Sequence, residues 1–333
     1  MGEDPVIVVE SLVKRFGSLA ALDGIDLQVE RGTVFGLLGP NGAGKTTAVR
    51  ILTTIIRPDA GRASVLGYDV VHEAAQVRFR IGLAGQNAAV DGNLTGRENL
   101  RLVGRLTQLP RDRIAARSDD LLERFGLAGA ADRLVRTYSG GMRRRLDLAI
   151  SLVHSPDVVF LDEPTTGLDP QARLELWQII RELTSAGTTI LLTTQYLEEA
   201  DRLANRIAVI DLGKVIAEGT SADLKARLGG TMLEVNTANE SAAQQAEALL
   251  APFAPERENT ILRIRGVQGP RVFIDALCKL EDAGLTPTSM AVKEPSLDDV
   301  FLTLTGHRPE SEVKRDGDRQ RADDDSGDKG EQR

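Results

Sequence analysis

The chain has 333 residues, enough for about two domains, and its 41 Lys+Arg against 49 Asp+Glu leave a net charge of −8. That acidic balance, with aromatic residues at only 4%, argues against nucleic acid as a partner, since phosphate neutralisation favours a basic face and base stacking needs aromatic platforms. Cys278 is the only cysteine, so no internal disulfide can form and a reducing compartment is expected.

The start, Met1-Gly2-Glu3-Asp4-Pro5, is acidic and has no apolar segment, so no secretory signal peptide is expected. No run of roughly 18 apolar residues predicts a membrane span. Val6–Glu10, Ile25–Val29 and Val34–Leu38 read as strands, with turns at Gly24 and Arg31-Gly32, and Thr46–Ile56 reads as a helix. From about Thr95 to Val153 the strand signal stops. Leu94–Leu106, Ile114–Phe125 and Met142–Val153 carry helical spacing. Val158-Val159-Phe160-Leu161 is a solid apolar run, expected of a parallel strand buried on both faces. Strands at Thr189–Leu192 and Ile207–Ile210 follow. The pattern predicts an α/β domain over residues 1–228 with a helical insertion at about 88–156.

Leu228-Gly229-Gly230 marks a boundary. Beyond it, strands at Met232–Val235, Ile261–Ile264 and Thr288–Val292 and helices at Ala242–Leu250 and Arg271–Ala283 predict a small α+β domain over 231–307 with ferredoxin-like succession. The last 26 residues, 308–333, contain 16 charged side chains and little to bury. A disordered tail is expected there.

Gly39-Pro40-Asn41-Gly42-Ala43-Gly44-Lys45-Thr46 fits G-x-x-x-x-G-K-[ST], between a strand and a helix. Glycines let successive backbone N–H groups turn onto phosphate oxygens, and the helix N-terminus adds partial positive charge. Lys45 reaches the β/γ-phosphates in such loops, and the Thr46 hydroxyl ligates Mg²⁺, with Thr47 beside it in the nucleotide shell. A metal also needs a carboxylate. The apolar run at 158–161 ends in Asp162-Glu163, at the strand edge where α/β sheets bind ligands. Asp162 suits the Mg²⁺ shell, and Glu163 can polarise a water in line with the γ-phosphate. The site therefore predicts ATP and Mg²⁺ as cofactors.

Between these two motifs lies Tyr138-Ser139-Gly140-Gly141-Met142-Arg143, similar to the signature sequence of ABC ATPases, usually Leu-Ser-Gly-Gly-Gln. From Val6 to Leu228 the chain resembles that family. Thr137–Arg145 and Leu191–Ala200 resemble daunorubicin/doxorubicin resistance-type ATP-binding subunits, as does Pro295–Leu302. The resemblance implies that Ser139, Gly140 and Gly141 contact ATP held by the opposite subunit of a head-to-tail homodimer. It implies that Phe16 stacks on adenine, although a lone aromatic is more often core. Gln86 matches the residue that senses Mg²⁺ and faces a membrane partner, though it also reads as a polar turn. Asp169 matches a dimer-contacting turn, and Asp169-Pro170 is equally a good helix start. Most members place histidine after the strand that ends in Thr193-Thr194. Here it is Gln195, which can donate a hydrogen bond to the γ-phosphate but cannot carry charge.

The function so implied is an ATP-hydrolysing subunit, peripheral at the cytoplasmic face of the cell membrane, that energises export of a hydrophobic compound such as an antibiotic through a separate integral membrane subunit. A lipid, glycolipid or polyketide cargo is the alternative, as is a soluble ABC ATPase unconnected with transport. Against the latter stand one cassette, no heptad insertion and the acidic balance. Arg143, Arg144 and Arg145 are expected to be solvated positions on an amphipathic helix, and Trp177 to be core. Cys278 is expected to be small and buried. His72, His154 and His307 are too far apart for a local metal motif.

Overall fold

Short apolar runs alternate with amphipathic stretches through the first 220 residues, and strands alternate with helices accordingly. The computed structural model describes residues 5–85, 89–226, 231–265, 271–293 and 296–305. Strands β1 (Ile7–Phe16), β2 (Leu19–Val29) and β3 (Val34–Leu38) lead into α1 (Lys45–Leu52). They are followed by β4 (Ala60–Val65), β5 (Tyr68–Asp69), α2 (Ala74–Arg80) and β6 (Ile81–Ala84). Three helices come next, α3 (Gly96–Leu106), α4 (Arg111–Arg124) and α5 (Gly140–Ser151). Then β7 (Val158–Asp162), α6 (Pro170–Ser185), β8 (Thr189–Thr194), α7 (Leu197–Leu203), β9 (Arg206–Asp211) and β10 (Lys214–Gly219) complete the first unit.

A six-stranded sheet of order β10-β9-β3-β8-β7-β6 forms its centre, parallel except for β10. Side chains of β7 alternate between two cores. Val159 and Leu161 pack with helix residues such as Leu121, Leu146 and Trp177. Val158 and Phe160 face Val49, Ile51 and the second sheet, an antiparallel layer of order β2-β1-β4-β5. Full burial on both faces explains the unbroken apolar run. In register, Leu38 lies beside Thr194, and Asp162 beside Thr193. The carboxyl ends of β3, β8 and β7 therefore open side by side, where the functional loops begin.

The helical insertion is present, and its starts are built by capping. Thr95 and Glu98 close a reciprocal capping box at α3, and Ser139 accepts from Met142 N at α5. Trp177 is core, donating from its ring N–H to the buried Glu199 carboxylate at 3.1 Å. Three expectations need correction. Gly24 makes no turn between strands. It lies within β2 at φ +77, where Leu12 pairs with Ile25 and Val13 with Asp23, so it is a bulge. Arg144 is not solvated but buried, because α5 is enclosed on most of its circumference. Cys278 is exposed, since α10 buries Phe273, Ala276 and Leu280 and turns residue 278 away.

The chain divides into compact units between Thr220 and Ser221. The second contains α8 (Ser221–Ala226), β11 (Met232–Asn236), α9 (Glu240–Leu249), β12 (Glu256–Glu258), β13 (Ile261–Arg265), α10 (Arg271–Asp282), β14 (Ser289–Lys293) and α11 (Leu297–Thr305). Its antiparallel sheet has order β12-β13-β11-β14, the ferredoxin-like succession. Leu233, Val235, Leu262 and Ile264 pack against Ala243, Ala246, Phe273 and Leu280. The glycine boundary at 228–230, Gln86 and the tail from 308 lie outside the described residues.

Candidate active site

β3 is buried along its whole length and ends at Leu38. The turn that follows needs glycine, because a Cβ on Gly39 would lie 2.3 Å from the Ile210 carbonyl oxygen of neighbouring β9. Gly44 adopts φ +112, and a Cβ there would lie 2.4 Å from Ala21 O. Between them, Pro40, Asn41, Gly42 and Ala43 form the loop, with Asn41 and Gly42 exposed at its tip. Gly213 N donates to Ala43 O at 3.0 Å and backs the loop from behind. α1 starts at Lys45 with Gly44 as its cap, without a side-chain cap hydrogen bond and without an acidic side chain in its first turn. No capping side chain or first-turn carboxylate therefore opposes an anion at this helix terminus, where the dipole favours negative charge. Lys45 is buried. Its ammonium donates to Gly39 O at 2.7 Å and Pro40 O at 3.0 Å, and lies 3.6 Å from Glu163 Oε1. This cradle, a glycine-bounded loop at a helix N-terminus with a buried cation, fits a nucleotide polyphosphate.

The opposite wall is the end of β7. Thr46 Oγ1 donates to Asp162 Oδ1 at 3.2 Å, so two of the three expected metal ligands converge, Gln86 lying outside the described residues. Thr193 Oγ1, fully buried on β8, donates to the same carboxylate oxygen at 2.5 Å. The same hydroxyl accepts from Glu163 N at 3.1 Å, and Glu163 N also donates to Thr193 O at 3.1 Å. Glu163 sits at φ +48, a left-handed conformation costly for a non-glycine residue. It is held there by those bonds. A hydroxyl and a carboxylate are hard oxygen donors suited to Mg²⁺, which keeps waters and shares its shell with phosphate. The donor set fits that ion.

Gln195 follows β8 directly, half-buried at the same edge of the sheet. The other motif residues lie on different elements. Ser139 and Gly140 are exposed at the start of α5. A Cβ on Gly140 would meet nothing within 4 Å, so the fold itself does not require glycine there. Asp169 caps α6, accepting from Ala172 N at 2.9 Å. Phe16 ends β1 and is 50% exposed, which removes the core reading. The Lys14 ammonium stands 5.5 Å from its ring centroid.

Sequence reasoning missed three residues. Thr193 interrupts an apolar strand, which is a signal in the sequence, but its partner Asp162 comes from the sheet register. Arg144 donates to the backbone carbonyls of Gly85, Asp162 and Pro164 and pairs with Asp147. Burial lowers the Arg144 guanidinium and pushes the Asp147 carboxyl up to about 6, while the Ala89 N–H and Arg144 oppose that rise.

A model of the ABC transporter family matches residues 22–166. The daunorubicin resistance ATP-binding protein DrrA3 of Streptomyces coeruleorubidus is 53% identical over 91% of this chain and 96% of its own length. The chain is an ABC transporter ATP-binding protein. Nod factor export ATP-binding protein I of Ralstonia nicotianae is 42% identical, over 92% of this ABC protein and 95% of that one. Among solved structures, cbiO1 of Clostridium perfringens, part of the ABC transporter complex cbiONQ, matches with TM-score 0.63 and 26% identity. It covers 75% of this chain and 97% of that structure. The ABC ATPase is thus an enzyme that hydrolyses ATP.

Proposed function

We propose that this ATPase works as a head-to-tail homodimer that energises export of a hydrophobic compound, such as an antibiotic, through a separate membrane subunit. The observation that carries the dimer is the exposed start of α5. Ser139 and Gly140 face outward, and Gly140 is a glycine that the fold does not need. A bare backbone at a helix N-terminus suits close approach of a phosphate held by another copy. Asp169 is exposed at the start of α6, and in this reading it contacts that copy.

Within one site the backbone of Gly39–Thr46 binds the phosphates, with Thr47 beside them, and Lys45 leaves its carbonyl partners to pair with phosphate oxygens. Phe16 stacks on the base. Thr46, Asp162 and Gln86 would hold Mg²⁺, which would neutralise phosphate charge. Glu163 takes a proton from the attacking water, and Gln195 donates to the γ-phosphate. Loss of the bonds that fix Glu163 would misaim its carboxylate.

Among the described residues no helix is long and apolar enough to cross a membrane, so the proposed place is the cytoplasmic face, through the partner. Relatives of 53% and 42% identity are named for daunorubicin resistance and for Nod factor export, which supports cargo choice by the membrane subunit. The acidic balance gives no support to a nucleic-acid partner. The test is coexpression with a cognate membrane subunit and measurement of efflux of a fluorescent anthracycline. Efflux that needs both chains and disappears with Glu163→Gln supports the proposal. A chain that hydrolyses ATP yet neither joins the membrane fraction nor supports efflux contradicts it.

A further inference from the structure

Arg144 places one guanidinium among groups from three separate segments. Its Nε donates to Pro164 O at 2.7 Å and one terminal nitrogen to Asp162 O at 3.1 Å. The other terminal nitrogen donates to Gly85 O and stands 3.3 Å from Asp147 Oδ2. The second oxygen of Asp147 accepts from Ala89 N at 2.7 Å. Gly85 and Ala89 flank residues 86–88, and the carbonyls of Asp162 and Pro164 bracket Glu163. One buried Arg–Asp pair on α5 therefore grips both ends of the segment containing Gln86 and both sides of Glu163.

Packing does not demand this arrangement. α5 is already anchored by Leu146, Leu148, Ala149 and Ile150. Burying two charges costs free energy that an apolar pair of similar volume avoids, so such a pair is weak evidence of a role in stability alone. The planar fork of arginine, with donors in fixed directions, is suited to holding several carbonyls in one geometry. Ser139 lies five positions before Arg144 on the same helix.

We infer that Arg144, braced by Asp147, is a positioning residue for ATP hydrolysis, locking the start of α5, the ends of the 86–88 segment and the Asp162–Pro164 backbone into one body. A contact made by Ser139 with the partner's nucleotide then bears mechanically on the same chain's Glu163. The inference rests on the proposed reading of Glu163 as the base and of α5 as the contact to a second copy. Among the described residues the bonds of Arg144 go to Gly85, Asp147, Asp162 and Pro164, outside the cradle of residues 39–46.

The test uses the full chain in parent, Arg144→Gln, Arg144→Lys, Asp147→Asn and double-variant forms. Turnover at saturating Mg-ATP, affinity for a fluorescent ATP analogue and thermal midpoint are measured together. Arg144→Gln is expected to lower kcat by about tenfold or more while analogue affinity stays within about twofold, since the lost bonds involve a charged donor and lie outside the cradle. Arg144→Lys recovers only part of the rate, because an ammonium lacks the fork. The double variant is no slower than Arg144→Gln, as expected for residues acting as one unit. Parent-like kcat in Arg144→Gln overturns the inference. So does a loss of rate, affinity and folded fraction in the same proportion. If Arg144→Gln does not fold, the ratio of kcat to affinity loss in Arg144→Lys decides: a selective fall in kcat supports positioning, and an equal fall refutes it. A folded parent that binds the analogue without hydrolysing ATP fails the underlying reading, and the inference falls with it.

Discussion

Replacing Thr193 by valine keeps the shape of a fully buried side chain and removes one hydroxyl. That hydroxyl donates to Asp162 Oδ1 at 2.5 Å and accepts from Glu163 N at 3.1 Å. Losing a hydrogen bond to a charged group costs about 1.5–3 kcal/mol, or roughly one to two decades in rate if felt only in the transition state. Asp162 keeps the Thr46 hydroxyl at 3.2 Å, and Glu163 N keeps Thr193 O at 3.1 Å. The lower end is therefore expected, about tenfold. Part of the cost falls on stability, at about 2–4 °C of midpoint per kcal/mol for a domain of this size. Phosphate release at saturating Mg-ATP reads the first effect. Analogue binding in a chelator reads the cradle, which Thr193 does not touch, and should be unchanged. Thr193→Ser restores the hydroxyl and should restore the rate. Turnover by Thr193→Val within about twofold of the parent would show that the bridge does not set the geometry of Asp162 and Glu163.

Gln195→Ala should lower turnover by on the order of tenfold with ATP affinity intact, and Gln195→His should be active with a new inflection near pH 6–7, read from rate against pH. Asp147 has its carboxyl raised to about 6 from an ordinary 3.8, so the folded state holds this proton more tightly than the unfolded chain. Its contribution to stability falls as pH rises from about 4 through 6, and Asp147→Asn should lack that component. Thermal midpoints of variant minus parent should thus rise across that window, and a flat difference would remove the charge argument. Truncation after Thr220 should leave analogue binding measurable, because the cradle, Asp162, Glu163 and Gln195 all precede the cut; a folded truncate that cannot bind would show that the second unit contributes.

What was legible in the sequence had local causes. The apolar run at Val158–Leu161 announces a strand buried on both faces, and Gly39–Thr46 carries its own reason for turning. Caps at Ser139 and Asp169 are likewise written within four residues of where they act. What was missed depends on partners distant in sequence. Arg144 looked solvated because three consecutive arginines suggest a polar face, yet its acceptors come from Gly85, Asp162 and Pro164. β4 and β5 went unread because only Ala63 and Val65 are buried in β4, and the pairing of β4 with β1 and of β5 with β4 supplies the rest. Gly24 looked like a turn because a glycine signal is shared by turns and bulges. Cys278 shows the limit of residue-type preference, since its place on α10 faces away from Phe273 and Leu280.

The central claim is that Glu163, held at the end of β7, drives Mg-ATP hydrolysis in a dimer closed by ATP. Its most direct test compares the parent chain and Glu163→Gln, measuring phosphate release and mass in solution with Mg-ATP. The parent should release phosphate steadily. Glu163→Gln should bind ATP, turn over far more slowly and accumulate as a dimer with ATP retained. Parent-like hydrolysis by Glu163→Gln would contradict the assignment of Glu163, and a variant that retains ATP yet stays monomeric would contradict the dimer.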